Sequence, residues 1–291
     1  MKNFFEIIKE AERKKIAIGH FNVATLEQMK AIATVAKKLR IPVVVGVSEG
    51  EWGFIGLRQI VALRDAYRSE GVALYLNADH TRSLENVARV AAVGFDSVIF
   101  DAAHLPLEEN IAQTKIAVAI VKKHSSFLRK TVIEGELGYI GTSSQLLDAI
   151  PEGAAVTQKF FTTPEDARRF VKETGVHMCA PAVGNIHGML KNMPNPRLDI
   201  PRIAAIRKST GVPIVLHGGS GISDEDFVSA INAGISLIHI STELRVAWKK
   251  GVVESLQEEP NELAPYKILK KSVDEVGFVV EKRIKLFQGM K

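Results

Sequence analysis

Apolar and polar positions follow two recurring textures along this chain. Short, nearly unbroken apolar runs rich in Val and Ile predict strands at Ile16–Gly19, Pro42–Val47, Ala73–Asn77, Ser97–Phe100, Thr131–Glu134, His177–Ala180, Pro213–His217 and Leu237–Ile240. Between them, helical spacing predicts helices over Leu26–Leu39, Leu84–Val93, Leu107–Lys122, Pro164–Glu173, Pro201–Ser209 and Asp224–Ala233. Ser83 and Ser223 stand where N-caps belong. Strands that are apolar throughout, rather than at every second residue, belong to a parallel sheet covered on both faces. Eight strand–helix units of this kind predict an α/β fold, a (β/α)8 TIM barrel. The alternative, a doubly wound open sheet, would place a Gly-rich phosphate loop after the first strand, and the sequence has none there.

Neither a linker nor a repeat divides the 291 residues, so residues 1–291 are expected to form a single domain. The helical segment near Pro265–Phe287 is additional to the barrel count and is free to dock on a neighbouring subunit. Leu137–Lys159 and Gly184–Leu198 read as irregular, and loops this long in a compact domain usually serve function. Hydrophobic residues at 46% and charged residues at 24% fit a globular protein. The net charge of +5 is small for the length and scattered, which suits anionic substrates better than nucleic acid. The lone Cys179 excludes an intramolecular disulfide and suits a reducing, cytoplasmic setting. The N-terminus reads as an amphipathic helix rather than a secretory signal, and no apolar run reaches membrane length.

The ionisable residues gather at the carboxyl ends of the predicted strands. Asp79 and His80 follow strand three, Asp101 follows strand four, and Glu134 and Glu136 end strand five. His187 lies after strand six, His217 closes strand seven and His239 lies in strand eight. In a barrel that end carries the active site. His80, His187 and His217 sit in Asn77-Ala-Asp-His80, Gly184-Asn-Ile-His-Gly188 and Leu216-His-Gly-Gly-Ser-Gly221. Any one of them alone is as readily a hydrogen-bonding residue at a strand end. Three together point to a Zn²⁺ site with a fourth position open. The run Gly218-Gly-Ser220, ahead of a helix starting near Ser223, resembles a phosphate cradle that Ser241 and Thr242 would complete. The alternative is a Gly-rich turn with an ordinary N-cap.

In order and spacing, Asp79-His80, Glu134-Gly-Glu-Leu-Gly138, Gly184-Asn-Ile-His-Gly188 and His217-Gly-Gly-Ser-Gly-Ile222 make the chain similar to the class II fructose-bisphosphate and tagatose-bisphosphate aldolases. The likeness runs from Phe21 to the last helix. It implies that His80, His187 and His217 bind a catalytic Zn²⁺, with Asp101 and Glu136 at a second or alternate divalent position. It implies that Asp79 is the acid/base at the substrate hydroxyl; support of a neighbouring imidazole is the other reading of that carboxylate. Gly188, Lys191, Gly218, Gly219, Ser220, Ser241 and Thr242 would belong to the phosphate cradle, with K⁺ or Na⁺ nearby, while Asn22 and Ser48 line the substrate cleft. The implied reaction is reversible cleavage of fructose 1,6-bisphosphate through an enediolate, by a homo-oligomer (dimer or tetramer) that needs neither nucleic acid nor membrane.

The chain departs from the pattern in four places. The acidic loop after strand five is replaced by Gly138-Tyr-Ile-Gly-Thr-Ser-Ser-Gln145, leaving Glu49, Glu51 and Asp148 as candidate substitutes for its acid. His239 stands where an asparagine contacts the ketose. The C-terminal helix lacks the arginine that holds a second phosphate, leaving Lys270, Lys271 and Arg283. Glu49-Gly-Glu-Trp-Gly-Phe-Ile-Gly56 follows strand two, where relatives carry smaller residues. Tagatose bisphosphate or another phosphorylated ketose is therefore an alternative substrate. A metal-dependent barrel hydrolase and a sugar-phosphate-binding barrel are the alternatives of other classes.

Overall fold

The computed structural model describes residues 1–125, 130–142 and 144–290. Ser143, within the segment read as irregular, lies outside them. The strands are β1 (Ile18–Asn22), β2 (Val43–Ser48), β3 (Leu74–Thr81), β4 (Ser97–Phe100), β5 (Val132–Leu137), β6 (Leu146–Leu147), β7 (Met178–Pro181), β8 (Met189–Leu190), β9 (Ile214–Leu216) and β10 (Ile235–Ile240). Eight of them close into a parallel barrel in the order β1-β10-β9-β7-β5-β4-β3-β2, so the chain has the expected TIM-barrel fold. The helices are α1 (Phe4–Lys14), α2 (Leu26–Leu39), α3 (Glu49–Ile55), α4 (Leu57–Ser69), α5 (Leu84–Val93), α6 (Leu107–His124), α7 (Pro164–Thr174), α8 (Ile200–Thr210), α9 (Asp224–Ala233), α10 (Thr242–Glu258), α11 (Pro265–Ile268) and α12 (Lys270–Phe287). Among the described residues, no helix is long and apolar enough to cross a membrane.

Three details differ from expectation. The first strand extends to Asn22, past the polar His20 that interrupts its apolar run. Both segments read as irregular contain a short strand, and these pair in register as Leu146 with Met189 and Leu147 with Leu190. The additional C-terminal helix, α12, packs against α10 and α2 of its own chain, completing the outer layer where it closes.

The barrel interior changes character from one end to the other. Side chains two apart on a strand share a face. At the amino-terminal end the inward positions are Ile18, Val44, Tyr75, Val132, Met178, Val215 and Leu237, which cluster with Phe4, Ile7, Ile8 and Ala11 of α1. That helix therefore plugs the bottom with hydrocarbon. One step up the same strands come His20, Gly46, Asn77, Glu134 and His239, and above them Asn22, Ser48, Asp79 and Glu136. The polar layers are stacked on an apolar floor, where water is excluded from below.

Gly46 makes room for this change. A Cβ there would lie 2.0 Å from the His20 ring, which stacks on His239 at 3.5 Å between centroids and 9° between planes. Gly46→Ala is expected to destabilise the fold by about 1–3 kcal/mol through overpacking, read as a lowered midpoint in thermal denaturation. An unchanged midpoint would mean that the His20–His239 stack can shift without cost.

Candidate active site

A local break in β3 brings two neighbouring side chains to the same place. Alternation would send Asp79 and His80 to opposite faces. Instead His80 has φ +50°, and the pairing of β3 with β4 slips between Ala78 and Thr81. This left-handed residue within a bulge is costly for a side chain with a Cβ, and such strain gathers at functional sites. As a result Asp79 Oδ1 lies 3.7 Å from His80 Nε2.

His80, His187 and His217 converge as the sequence suggests, with one ring nitrogen from each lying within 4.8 Å of the others. Each ring has its other nitrogen committed. His80 Nδ1 donates to Asp101 Oδ2 at 3.0 Å and has Glu136 Oε2 at 3.2 Å. His187 Nδ1 donates to the Gly141 carbonyl at 2.6 Å. His217 Nε2 donates to Glu134 Oε1 at 2.7 Å, leaving its Nδ1 buried without a partner. Imidazoles that ligate metals are held in this way, one nitrogen donated to a carboxylate or carbonyl and the other presented as a lone pair. His80, Asp101 and Glu136 form a second grouping of possible ligands.

The charges agree with a cation site. Burial, with the neighbouring His80, lowers the His187 imidazole to about 4, so its lone pair is available at neutral pH. Burial would also lower His217, but its contacts with Glu134 and Glu136 reverse this and raise it to about 10. Burial opposes protonation of His80 as well, yet Asp79 and Glu136 hold it well above its usual value. Protons retained on two buried imidazoles mark an excess of carboxylate charge that a divalent cation would balance. Buried polar atoms normally find partners. Asp79 Oδ1, Glu134 Oε2, His217 Nδ1, His239 Nε2 and Ser241 Oγ, all around this cluster, make no hydrogen bond. The donor set and these orphaned atoms fit a bound metal.

Beside the cluster, a small pocket is bordered by Gly188, Gly218, Ser220, Ser241 and Thr242, with His239 and Asn22. Gly218 has φ +61°, and a Cβ there would lie 2.1 Å from the Ile186 carbonyl, so only glycine fits the turn. Ser220 Oγ accepts from the Ser241 and Glu243 backbone N–H groups at 3.2 Å, seating this loop on the start of α10. Gly219 and Lys191 fall outside the pocket lining. The Gly219 N–H donates to the His239 carbonyl, and Lys191 Nζ pairs with Asp148 at 2.9 Å.

A larger cleft of about 210 Å³ adjoins the cluster, bordered by Asn22, Ser48, Glu49, Asp79, Arg82 and Arg245 among others. Asn22 Nδ2 donates to Asp79 Oδ2 at 2.7 Å and to Glu51 Oε2 at 3.1 Å. Of the candidate acids, Glu49 lines the cleft, with Oε1 accepting from the Arg82 N–H and from Asn86. Glu51 lies buried just behind it, and Asp148 stays outside with Lys191. None of the candidate cations for a second phosphate reaches the cleft. Arg283 is held by Glu243 and Asp224, while Lys270 and Lys271 border a separate groove beside Glu258 and Tyr266. The cations that do border it, Arg82 and Arg245, were not singled out from sequence. The position of Arg245 in the first turn after Ser241-Thr242 is the signal that could have found it. Two buried asparagines also went unnoticed. Asn185 Nδ2 donates to the His217 carbonyl, and Asn195 Nδ2 donates to the Gly188 and Ser220 carbonyls, tying the cradle loops together.

Fold and site together define a (β/α)8-barrel enzyme with a candidate metal centre next to a glycine- and serine-lined pocket at its carboxyl-terminal mouth. Residues 2–290 match the family described as fructose-bisphosphate aldolase class-II, and the chain belongs to that family, whose members are metal-dependent. It is 36% identical over 268 residues to a probable fructose-bisphosphate aldolase of Bacillus subtilis (strain 168), covering 91% of this chain and 89% of that protein. It is 34% identical over 285 residues to a 6-phospho-5-dehydro-2-deoxy-D-gluconate aldolase of Shouchella clausii (strain KSM-K16), covering 97% and 92%. The crystal structure of the YdjI aldolase from Escherichia coli K12 superposes with a TM-score of 0.79 at 26% identity, covering 99% of this chain and 97% of that one.

Glu134→Gln is expected to weaken metal binding about 10- to 100-fold by freeing the His217 ring, measured by competition with a chromophoric chelator. Equal affinity in folded Glu134→Gln protein would show that this carboxylate does not orient the imidazole.

Proposed function

We propose that this protein is a Zn²⁺-dependent aldolase that reversibly cleaves fructose 1,6-bisphosphate into dihydroxyacetone phosphate and glyceraldehyde 3-phosphate in the cytoplasm. The observation that carries this reading is the meeting of three imidazoles, a carboxylate with one unpartnered oxygen, and a glycine–serine cradle in one cleft. His80, His187 and His217 would hold Zn²⁺, and Asp101 with Glu136 would serve a second divalent position. Zn²⁺ supplies Lewis acidity at the ketose carbonyl and its neighbouring hydroxyl.

The chain's own groups do the rest. Asp79 accepts the proton of the C4 hydroxyl as the C3–C4 bond breaks. The bonding pair stays on the C3 side as the enediolate of dihydroxyacetone phosphate, and C4 leaves as an aldehyde carbonyl. Asn22 engages Asp79 Oδ2, which leaves Oδ1 for the proton. Gly188, Gly218, Ser220, Ser241 and Thr242 hold the C1 phosphate where the dipole of α10 favours negative charge, with K⁺ or Na⁺ completing the cradle. His239, neutral because burial and the adjacent His20 hold it well below its usual value, turns an unpartnered Nε2 toward the ketose. Ser48 and Arg245 meet the distal phosphate from the far side of the cleft.

One observation favours a second reading, a different phosphorylated ketose such as tagatose 1,6-bisphosphate or a relative's deoxygluconate phosphate. Arg245 shares its guanidinium with Glu51, so the charge accepted at the distal end is not set by arginine alone.

Exchange of the C3 hydrogen of dihydroxyacetone phosphate with D₂O, followed by NMR, tests the shared half of the reaction. Stereospecific exchange that a chelator abolishes is expected. Its absence in the Zn²⁺-loaded protein would sink the aldolase reading. Asp79→Asn is expected to lower the rate of fructose 1,6-bisphosphate cleavage by about 10²- to 10⁴-fold, with metal content retained. Cleavage at the wild-type rate would assign the proton to another group.

A further inference from the structure

Glu51 occupies a place that neither metal nor phosphate chemistry requires. It sits in the first turn of α3, is 8% exposed, and completes a capping box with Ser48. Its Oε2 accepts from the Ser48 N–H at 2.8 Å and from Asn22 Nδ2 at 3.1 Å, and its Oε1 accepts from Arg245 Nη2 at 2.8 Å. One carboxylate thus joins the residue that holds Asp79 to the arginine at the distal wall. The Arg245 side chain is itself 46% exposed, with Nη1 donating to the Ser144 carbonyl at 3.1 Å, so part of the guanidinium remains open to the cleft. The second arginine at the mouth, Arg82, is held more loosely, with Nε 3.7 Å from Asp101 Oδ2 and its side chain 51% exposed.

We infer that Glu51 is a positioning residue that sets the charge selectivity of the aldehyde subsite by holding and neutralising Arg245. This rests on the aldolase reading above and deepens it. An arginine already bonded to a buried carboxylate offers a dianion less attraction, and the same carboxylate repels a phosphate that approaches the shared Nη2. Glu51 is buried, so solvent screens its side of the pair less than the exposed face of Arg245. The subsite therefore discriminates weakly between a phosphorylated aldehyde and an uncharged, hydroxylated one. Specificity is a difference of affinities, and Glu51 reduces that difference.

Glutamine at position 51 is nearly isosteric. Its carbonyl can still accept from Ser48 and Asn22, while the negative charge beside Arg245 is gone. The experiment is aldol condensation of dihydroxyacetone phosphate with glyceraldehyde 3-phosphate and, separately, with glyceraldehyde, comparing kcat/KM for the two aldehydes. In Glu51→Gln the ratio favouring the phosphorylated aldehyde is expected to rise about tenfold, through a lower KM for that aldehyde. In Arg245→Gln, where Glu51 faces the cleft without its partner, the ratio is expected to fall below that of the wild type. An unchanged or lower ratio in Glu51→Gln overturns the proposal. Should that variant fail to fold, an unchanged or higher ratio in Arg245→Gln overturns it equally. A loss of packing alone would slow both aldehydes together and leave the ratio in place. C3 hydrogen exchange in the wild-type protein, run alongside without aldehyde, separates the two failures: no exchange removes the aldolase reading, whereas exchange with an unmoved ratio removes only this role of Glu51.

Discussion

The bond between Glu134 and His217 is the contact on which the mouth of the barrel depends. Both side chains are closed off from water, 0% and 1% exposed, and they meet inside the barrel from β5 and the end of β9, which β7 separates in the wall. A carboxylate this deep is costly unless it is paired. Burial, with like charges nearby, accordingly raises Glu134, although the His217 contact works against the rise. From this pair the network spreads outward, from His217 to Glu136 at 3.6 Å, from Glu136 to His80, and from His80 to Asp101. Strands β3 and β5 and the residues that follow β4 and β9 are thereby linked by charge as well as by backbone. The network gains its rigidity because solvent cannot compete for its members.

A second chain of polar contacts runs the other way, from Asp79 through Asn22 and Glu51 to Arg245. It connects the proposed proton-transfer group to the wall that would meet the far end of a substrate. The two chains meet at the Asp79-His80 step, where the backbone leaves the β region. Strain at that one residue lets a carboxylate and an imidazole from consecutive positions serve different partners on the same side of the sheet. A regular strand would have offered one of them and hidden the other.

The barrel was legible because its strands are covered on both faces, which writes each as an unbroken apolar run. The histidines and carboxylates stood out because nearly all of them interrupt those runs at the carboxyl end, His177 being an exception. What could not be read depended on pairs far apart in the chain. Glu51 and Arg245 are 194 residues apart, and neither carries a local mark of the other. Lys191 read as a phosphate ligand because nothing local shows that Asp148, 43 residues earlier, takes its charge. Gly219 read like its neighbours in the cradle, but its N–H is spent on the next strand. The β6–β8 pairing rests on two residues a side, too few to give a periodic signal.

The apolar plug beneath the site has a consequence for how the chain is made. Helix α1 precedes every barrel strand in the chain, yet it packs against β10 as well as β1, and its residues cluster with Leu237. Strand β1 likewise gains its second neighbour only when Ile18 meets Leu237 and Phe21 meets Ile240. Helix α1 must therefore wait, with its apolar face partly uncovered, until β10 has been synthesised. Closure of the barrel and sealing of its floor become one late event, and every intermediate before it carries an open seam.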